Sequence, residues 1–235
     1  NHGLRPAAVQ ETRYVSKLAK AMGLPCKILT HKGAIPEKDI QSTARDIRYG
    51  LMFEWCVKNK VTYLLTAHHL EDQAETFLLR LARGSGLDGL SGMQSIRNYE
   101  GVALLRPFLD IPRERLHQTT VKAGLDPISD PSNSNQRFAR VRIRNKMELL
   151  SEEGMTAARL ADTAGRLLQA RQALEQVTEN FMQSAVQLDE YGIAYLAYAS
   201  LRDQPEDILR RTINKLLTPH GGYPPRAESV QRSLG

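Results

Sequence analysis

Apolar positions recur along the chain in two alternating rhythms. Val15, Leu18, Ala19 and Met22 share one face of a helix over 9–22, which Gly23 stops. Pro25 to Thr30 reads as a short strand. Ile40, Ala44, Ile47, Leu51 and Trp55 then stripe a second helix, Asp39 to Lys58, with Asp39 placed to cap it. Val61 to Thr66 is a continuous apolar run rich in β-branched residues, which predicts a parallel strand covered on both faces. A helix over 71–83 follows, burying Ala74, Phe77, Leu78 and Leu81. A strand at Val102 to Leu105 and a helix from Pro112 to Ala123 extend the series. Strands alternating with helices of this length imply right-handed crossovers and an α/β fold, an open, mostly parallel sheet with helices on both faces.

The rhythm changes near Met155. Leu160, Ala164, Leu167, Leu174, Val177, Phe181, Ala185 and Leu188 mark one long amphipathic helix up to Leu188. A short strand, Ile193 to Tyr198, and a helix from Pro205 to Leu217 complete the tail. The chain is therefore expected to divide into an α/β domain, 1–150, and a smaller, mostly helical domain, 151–235.

Composition narrows the class. With 41% apolar and 25% charged residues in 235, the chain is an ordinary globular protein rather than a disordered or fibrous one. Its apolar runs are too short to cross a bilayer and its first residues lack a secretory pattern, so a cytoplasmic protein without membrane association is expected. Cys26 and Cys56 sit in apolar segments without Cys-x-x-Cys spacing, which argues against a zinc ribbon, an iron–sulfur cluster or a disulfide framework. Both are expected to be reduced core thiols. The net charge of +6 is uneven: residues 1–150 hold 23 Lys and Arg against 15 Asp and Glu, residues 151–235 hold 9 against 11. A basic surplus confined to the first part favours a polyanion such as nucleic acid or a nucleotide, or is simply a solvated basic face.

Ligands of parallel sheets bind beyond the carboxyl ends of the strands. Two such ends are Asn1 to Arg5 and Ala67 to Asp72. At the second, His68 and Asp72 are four residues apart and point towards one crevice. His68, His69, Asp72 and Glu75 could ligate zinc, but the helical His pair of a metalloprotease is missing. His68 capping the sheet and Asp72 capping the helix is the purely structural alternative. The catalytic one has Asp72 hold a magnesium ion on nucleotide phosphates while His68 orients or protonates a reacting group. Downstream, Arg83-Gly84-Ser85-Gly86 with Gly89 and Gly92 can turn backbone N–H groups towards an anion, or merely stop a helix. Asp130-Pro131-Ser132-Asn133 precedes Arg137, Arg140, Arg142, Arg144 and Lys146, whose guanidinium forks match phosphate oxygens unless they only solvate a helix face. Arg45 and Arg48, three apart, could share one anionic group.

In combination these segments resemble the tRNA(Ile)-lysidine synthases. The segments are Asn1-His2-Gly3-Leu4-Arg5, Ala44-Arg45 with Arg48-Tyr49, and Thr66-Ala67-His68-His69 with Asp72-Gln73-Ala74-Glu75-Thr76. Arg83-Gly84-Ser85-Gly86-Leu87 with Gly89-Leu90, Arg106-Pro107, and Asp130-Pro131-Ser132-Asn133 with Arg140 and Arg144 complete them, covering about residues 1–150 in order. The resemblance implies a PP-loop ATP pyrophosphatase with an adenine nucleotide alpha hydrolase-like, Rossmann-like fold. It implies ATP with Mg2+ as cofactors, free L-lysine and an isoleucine tRNA with a CAU anticodon as partners, and is compatible with a homodimer. The implied reaction adenylates the carbon 2 oxygen of the wobble cytidine and displaces AMP with lysine. The implied catalytic residues are His68, Asp72, which would also bind the metal, and Arg144. Arg45, Arg83, Gly84, Arg140 and Arg142 would line the nucleotide or tRNA site. A tRNA cytidine thiolase of the same superfamily and a non-catalytic tRNA-binding protein are the alternatives.

One departure stands out. The family's Ser-Gly-Gly-x-Asp-Ser pyrophosphate loop occurs nowhere in the sequence. The simplest account is that the chain starts after the first strand, loop and helix, and the piece is then not expected to turn over by itself.

Overall fold

The computed structural model describes residues 1, 7–33, 40–127, 135–191 and 193–217. In chain order the elements begin with α1 (Ala7–Ala21), α2 (Ile40–Lys58), β1 (Tyr63–Leu65), α3 (Leu70–Leu81) and α4 (Leu87–Leu90). There follow β2 (Ile96–Tyr99), β3 (Val102–Leu105), α5 (Arg113–Lys122), α6 (Ala139–Glu152) and α7 (Ala157–Ala185). The chain ends on β4 (Val186–Leu188), β5 (Ala194–Leu196), α8 (Tyr198–Arg202) and α9 (Glu206–Leu217). They sort into two compact units, one of residues 1–83 and 92–162, the other of 84–91 and 163–235. No helix among the described residues is long and apolar enough to cross a membrane.

The first unit is built on a three-stranded sheet of order β1-β3-β2. β1 pairs parallel to β3, Tyr63 opposite Ala103 and Leu65 opposite Leu105, the parallel relation that the strand–helix alternation predicts. β3 is central and its Val102 and Leu104 are fully buried, as an apolar run between two neighbours must be. β2 runs antiparallel to β3, and its polar residues Arg97 and Asn98 hide it from a hydrophobicity reading. The two are joined by a tight two-residue turn, Glu100 at φ 45° and Gly101 at φ 85°. Both central residues are left-handed, the geometry that matches the twist of a hairpin, and Gly101 adopts it without a Cβ penalty. α6 packs along α3, and Ala44, Cys56, Ala74, Phe77, Met93, Val141 and Leu160 supply the rest of this core.

Several expectations are corrected. β1 is three residues rather than six, and its Tyr63 and Leu65 are exposed, because the face they occupy is covered by no described element. Pro25 to Thr30 is extended chain and not a strand among the described residues; there the Asn1 amine donates to the Leu29 carbonyl and the His31 N–H to the Asn1 carbonyl. Leu81 lies exposed at the last turn of α3. Cys26 is exposed, so only Cys56 is a core thiol, its pKa raised by burial. The proposed cap at Asp39 and the segment Asp130 to Asn133 lie outside the described residues.

In the second unit, α7 ends at Ala185 and Leu188 is already in a strand, since β4 pairs with β5 as an antiparallel ribbon. The buried stripe of α7 carries Ala164, Thr178 and Phe181, whereas Val177 and Leu188 are exposed. Thr178 takes an interior position because its hydroxyl donates to the Leu174 carbonyl, 2.7 Å away, and so buries no unsatisfied donor. Arg211 of α9 is 8% exposed and forks onto both oxygens of Asp88, at 2.9 and 3.1 Å, while Arg171 reaches the same carboxylate at 3.3 Å. A buried guanidinium needs such pairing, and Asp207 completes it at 2.7 Å.

Candidate functional site

The site grows from the carboxyl end of β1. Thr66 extends the ladder by donating its N–H to the Leu105 carbonyl at 2.9 Å, and His69 bridges in parallel to Phe108. The chain between them must leave the sheet and turn into α3, which places His68 at the strand end. Its Nδ1 lies 3.0 Å from the Thr66 hydroxyl, which fixes the ring orientation.

His69 is the N-cap of α3, with extended backbone at φ −124°. Its N–H donates to Asp72 Oδ2 at 3.1 Å, the reciprocal half of a capping box. Its ring lies 3.0 Å from Glu71 and 3.4 Å from Asp72. Two carboxylates in the first turn also suit the positive end of the helix dipole. Asp72 thus caps its helix while standing at the crevice.

The electrostatics around His68 are distinctive. Burial pushes its imidazolium down to about 4; Asp72 pulls the other way, and the guanidiniums of Arg45, Arg106 and Arg140 add to the downward push. The ring is therefore neutral at physiological pH, a hydrogen-bonding group rather than a stored acid. Three cations acting on one strand-end imidazole mark a place prepared for negative charge. Arg106 enters the sequence reading only through the Arg106-Pro107 pair, with no site role attached to it. It is 7% exposed, donates to the Gln94 carbonyl at 2.7 Å, and leaves its Nε without a partner among the described residues.

Across α3 a second cluster forms. Glu75 is 1% exposed, Arg144 donates its Nε–H to it at 2.7 Å, and Arg140 lies 3.6 Å from its other oxygen while donating to the Thr76 hydroxyl at 3.0 Å. The hydrogen bond to Glu75 holds the Arg144 pKa above its ordinary value. A cleft of about 270 Å3 is lined by His69, Glu71, Glu75, Arg113, Arg144 and Glu148, and a second, of about 570 Å3, by Leu70, Gln73, Arg106, Pro107, Ala158 and Asp162.

Asp72, Arg45 and Arg140 therefore lie near enough to His68 to act on its charge, and Arg144 stands beside Arg140 on Glu75. The structure does not gather the others. Arg142 is exposed and donates to the carbonyls of Gln136 and Arg137 at 3.0 and 2.8 Å, closing the loop before α6. Arg83 is exposed beyond α3; Gly84 belongs to the other unit, exposed at φ 71°. No three metal-ligating side chains cluster among the described residues, so the zinc set of His68, His69, Asp72 and Glu75 is not formed.

Comparison with known proteins decides the family. Residues 1–150 match the PP-loop domain family. The tRNA(Ile)-lysidine synthase of Rhodopseudomonas palustris is 38% identical over 98% of this chain and 67% of its own length. The chain belongs to the tRNA(Ile)-lysidine synthase family of PP-loop proteins. The synthases of Methylobacterium nodulans, 42% identical over 85% of the chain, and Ruegeria pomeroyi, 36% identical over all of it, agree. The chain spans only 61% and 56% of the length of these two synthases. Among solved structures, a U34-tRNA thiolase from Methanococcus maripaludis has a TM-score of 0.55 over 67% of this chain and 55% of its own, at 18% identity. That likeness speaks to the fold, the α/β PP-loop kind with a helical region after it.

Proposed function

We propose that this chain forms part of a tRNA(Ile)-lysidine synthase, an ATP-consuming carbon–nitrogen ligase. In the proposed reaction the carbon 2 oxygen of the wobble cytidine, in an isoleucine tRNA with a CAU anticodon, attacks ATP and releases pyrophosphate. The amine of free L-lysine then attacks carbon 2, AMP leaves, and lysidine is formed. Residues 1–150 would be the catalytic domain and 151–235 a helical tRNA-reading domain. The cytoplasm would be the compartment, and a homodimer, readable by sedimentation, the assembly.

The observation that carries this reading is the convergence of Arg45, Arg106 and Arg140 on a neutral His68 at a strand end. Phosphoryl leaving groups need preorganised positive charge, and a neutral imidazole can orient a base without competing for it. Arg83 and Gly84 would approach the nucleotide from the glycine-rich turn, and Arg140, Arg142 and Arg144 would meet AMP phosphate or tRNA. Glu71 and Glu148, beside Arg113 and Arg144 in the smaller cleft, suit an amino acid with a cationic side chain, which supports lysine.

Asp72 is the residue proposed to hold Mg2+, and the chemistry that ion supplies is to offset pyrophosphate charge. One carboxylate suffices in such a role, because magnesium on phosphates usually takes one or two from the protein.

The test is incubation of the intact gene product with ATP, radiolabelled lysine and total tRNA. Label in tRNA is expected. Its absence with tRNA binding retained would favour a non-catalytic binding protein, and sulfur incorporation would favour the thiolase.

A further inference from the structure

Arg45, Tyr49 and Phe53 are four residues apart on α2 and so share one face, while Arg97 and Tyr99 are two apart on β2 and share another. The fold merges these faces into one row. Tyr49 and Phe53 stack with centroids 6.0 Å apart and planes 21° apart, and Phe53 meets Tyr99 at 4.5 Å. Guanidiniums sit on the rings at both ends: Arg45 and Arg48 lie 5.2 and 5.8 Å from the Tyr49 centroid, Arg97 4.7 Å from that of Tyr99.

Among the described residues none of these three arginines is paired with a carboxylate, although Asp46, Glu54 and Glu100 are their neighbours in sequence. A guanidinium lying on a ring is held in one plane with its edge N–H groups free, the fork geometry that a phosphate oxygen pair requires. A row built only to pack would not concentrate three cations with no carboxylate partner among the described residues. Arg45, moreover, also presses on His68, so the row leads directly away from the strand-end site.

We infer that the Arg45–Arg48–Arg97 row, carried on Tyr49, Phe53 and Tyr99, is a docking track for the sugar-phosphate backbone of RNA. Resting on the function proposed above, the RNA is the tRNA whose reacting nucleotide reaches His68, and the track takes the strand flanking that nucleotide. Three guanidiniums placed on the two end rings of one row suit a phosphate chain better than a single small anion, which one fork would satisfy.

The test is fluorescence anisotropy of a labelled tRNA transcript on the 235-residue chain, between about 50 and about 200 mM KCl, with thermal melting alongside. Each phosphate contact contributes about 0.7 to 0.9 to the slope of log affinity against log salt, so Arg48→Gln with Arg97→Gln should flatten it by about 1.5 and leave melting unchanged. Arg48→Lys with Arg97→Lys should keep the slope and lose affinity severalfold, because charge survives and the stacked fork does not. Arg97→Glu alone, a surface change, should weaken binding more than Arg97→Gln. Wild-type affinity and slope in the double glutamine variant would overturn the track while leaving tRNA as the ligand. So would displacement of the label by polyglutamate as readily as by unlabelled tRNA, which would instead mark a protein-binding cation patch. Failure of the unaltered chain to bind tRNA would count against the tRNA reading itself.

Discussion

Arg144 donates its Nε–H to Glu75 across 2.7 Å, and the carboxylate it reaches is 1% exposed. The two lie 69 positions apart, so this contact ties α6 to α3 beside the candidate site. A buried carboxylate stripped of its partner is costly. Arg144→Ala is therefore expected to destabilise the chain by about 3 kcal/mol, the low end for a broken buried pair because Arg140 stays 3.6 Å from Glu75. Adding Glu75→Gln should return most of that loss, since a neutral amide needs no counter-charge. Urea unfolding of the two variants measures both; equal losses in single and double would mean that the pair contributes nothing.

His68 gives a pH-dependence with a definite sign. Its folded value, about 4, is below the ordinary 6.5, so the unfolded chain takes up the proton first as pH falls. This group's contribution to stability is complete above about 6.5 and is lost as pH drops towards 4. An NMR titration of the His68 ring should find no protonation near neutrality, and Arg45→Gln should move the midpoint upward, though only partly, because burial is the larger cause. A midpoint near 6.5 in the unaltered chain would remove the argument for a neutral ring.

Gly92 marks a position that only glycine fits. It has φ 68°, and a Cβ there would lie 2.9 Å from Gln73 Oε1. That oxygen cannot yield easily: it accepts the Met93 N–H at 2.7 Å while the same amide donates to the Met93 carbonyl at 2.9 Å, and Gln73 is buried. Gly92→Ala should cost about 1–3 kcal/mol in a denaturant melt, whereas Gly101→Ala, in open space, should cost less. Equal losses at the two would mean that the Gln73 clamp gives way freely.

Periodicity located α2, α3, β3 and α9 to within a few residues because each buries apolar positions, which is what hydrophobic spacing records, whereas none of the residues of α5 is buried. β2 was illegible for the opposite reason: Ile96, Arg97 and Asn98 are exposed, and only the Glu100-Gly101 turn betrays the hairpin. The His68–Asp72 block was legible as chemistry because polar residues at a strand end have few structural uses. Arg106 and the buried state of Glu75 were not, since both depend on what packs against them from 12 to 69 residues away in sequence. The contacts of Arg142 were equally hidden: in a run of arginines the sequence does not say which one will also donate to a loop's carbonyls, as Arg142 does to Gln136 and Arg137.

Asp72 holds two roles that one pair of substitutions can separate. As a cap it accepts the His69 N–H at 3.1 Å, a bond that an asparagine side chain makes nearly as well and an alanine cannot. Asp72→Ala should lower stability by about 1 kcal/mol, while Asp72→Asn should lose only a few tenths. The charge is what a magnesium ion or a lysine ammonium would need, so in the intact protein Asp72→Asn should cut lysine transfer at least tenfold at unchanged melting temperature. Transfer that survives in Asp72→Asn and falls in Asp72→Ala only in step with stability would leave Asp72 as a helix cap and nothing more.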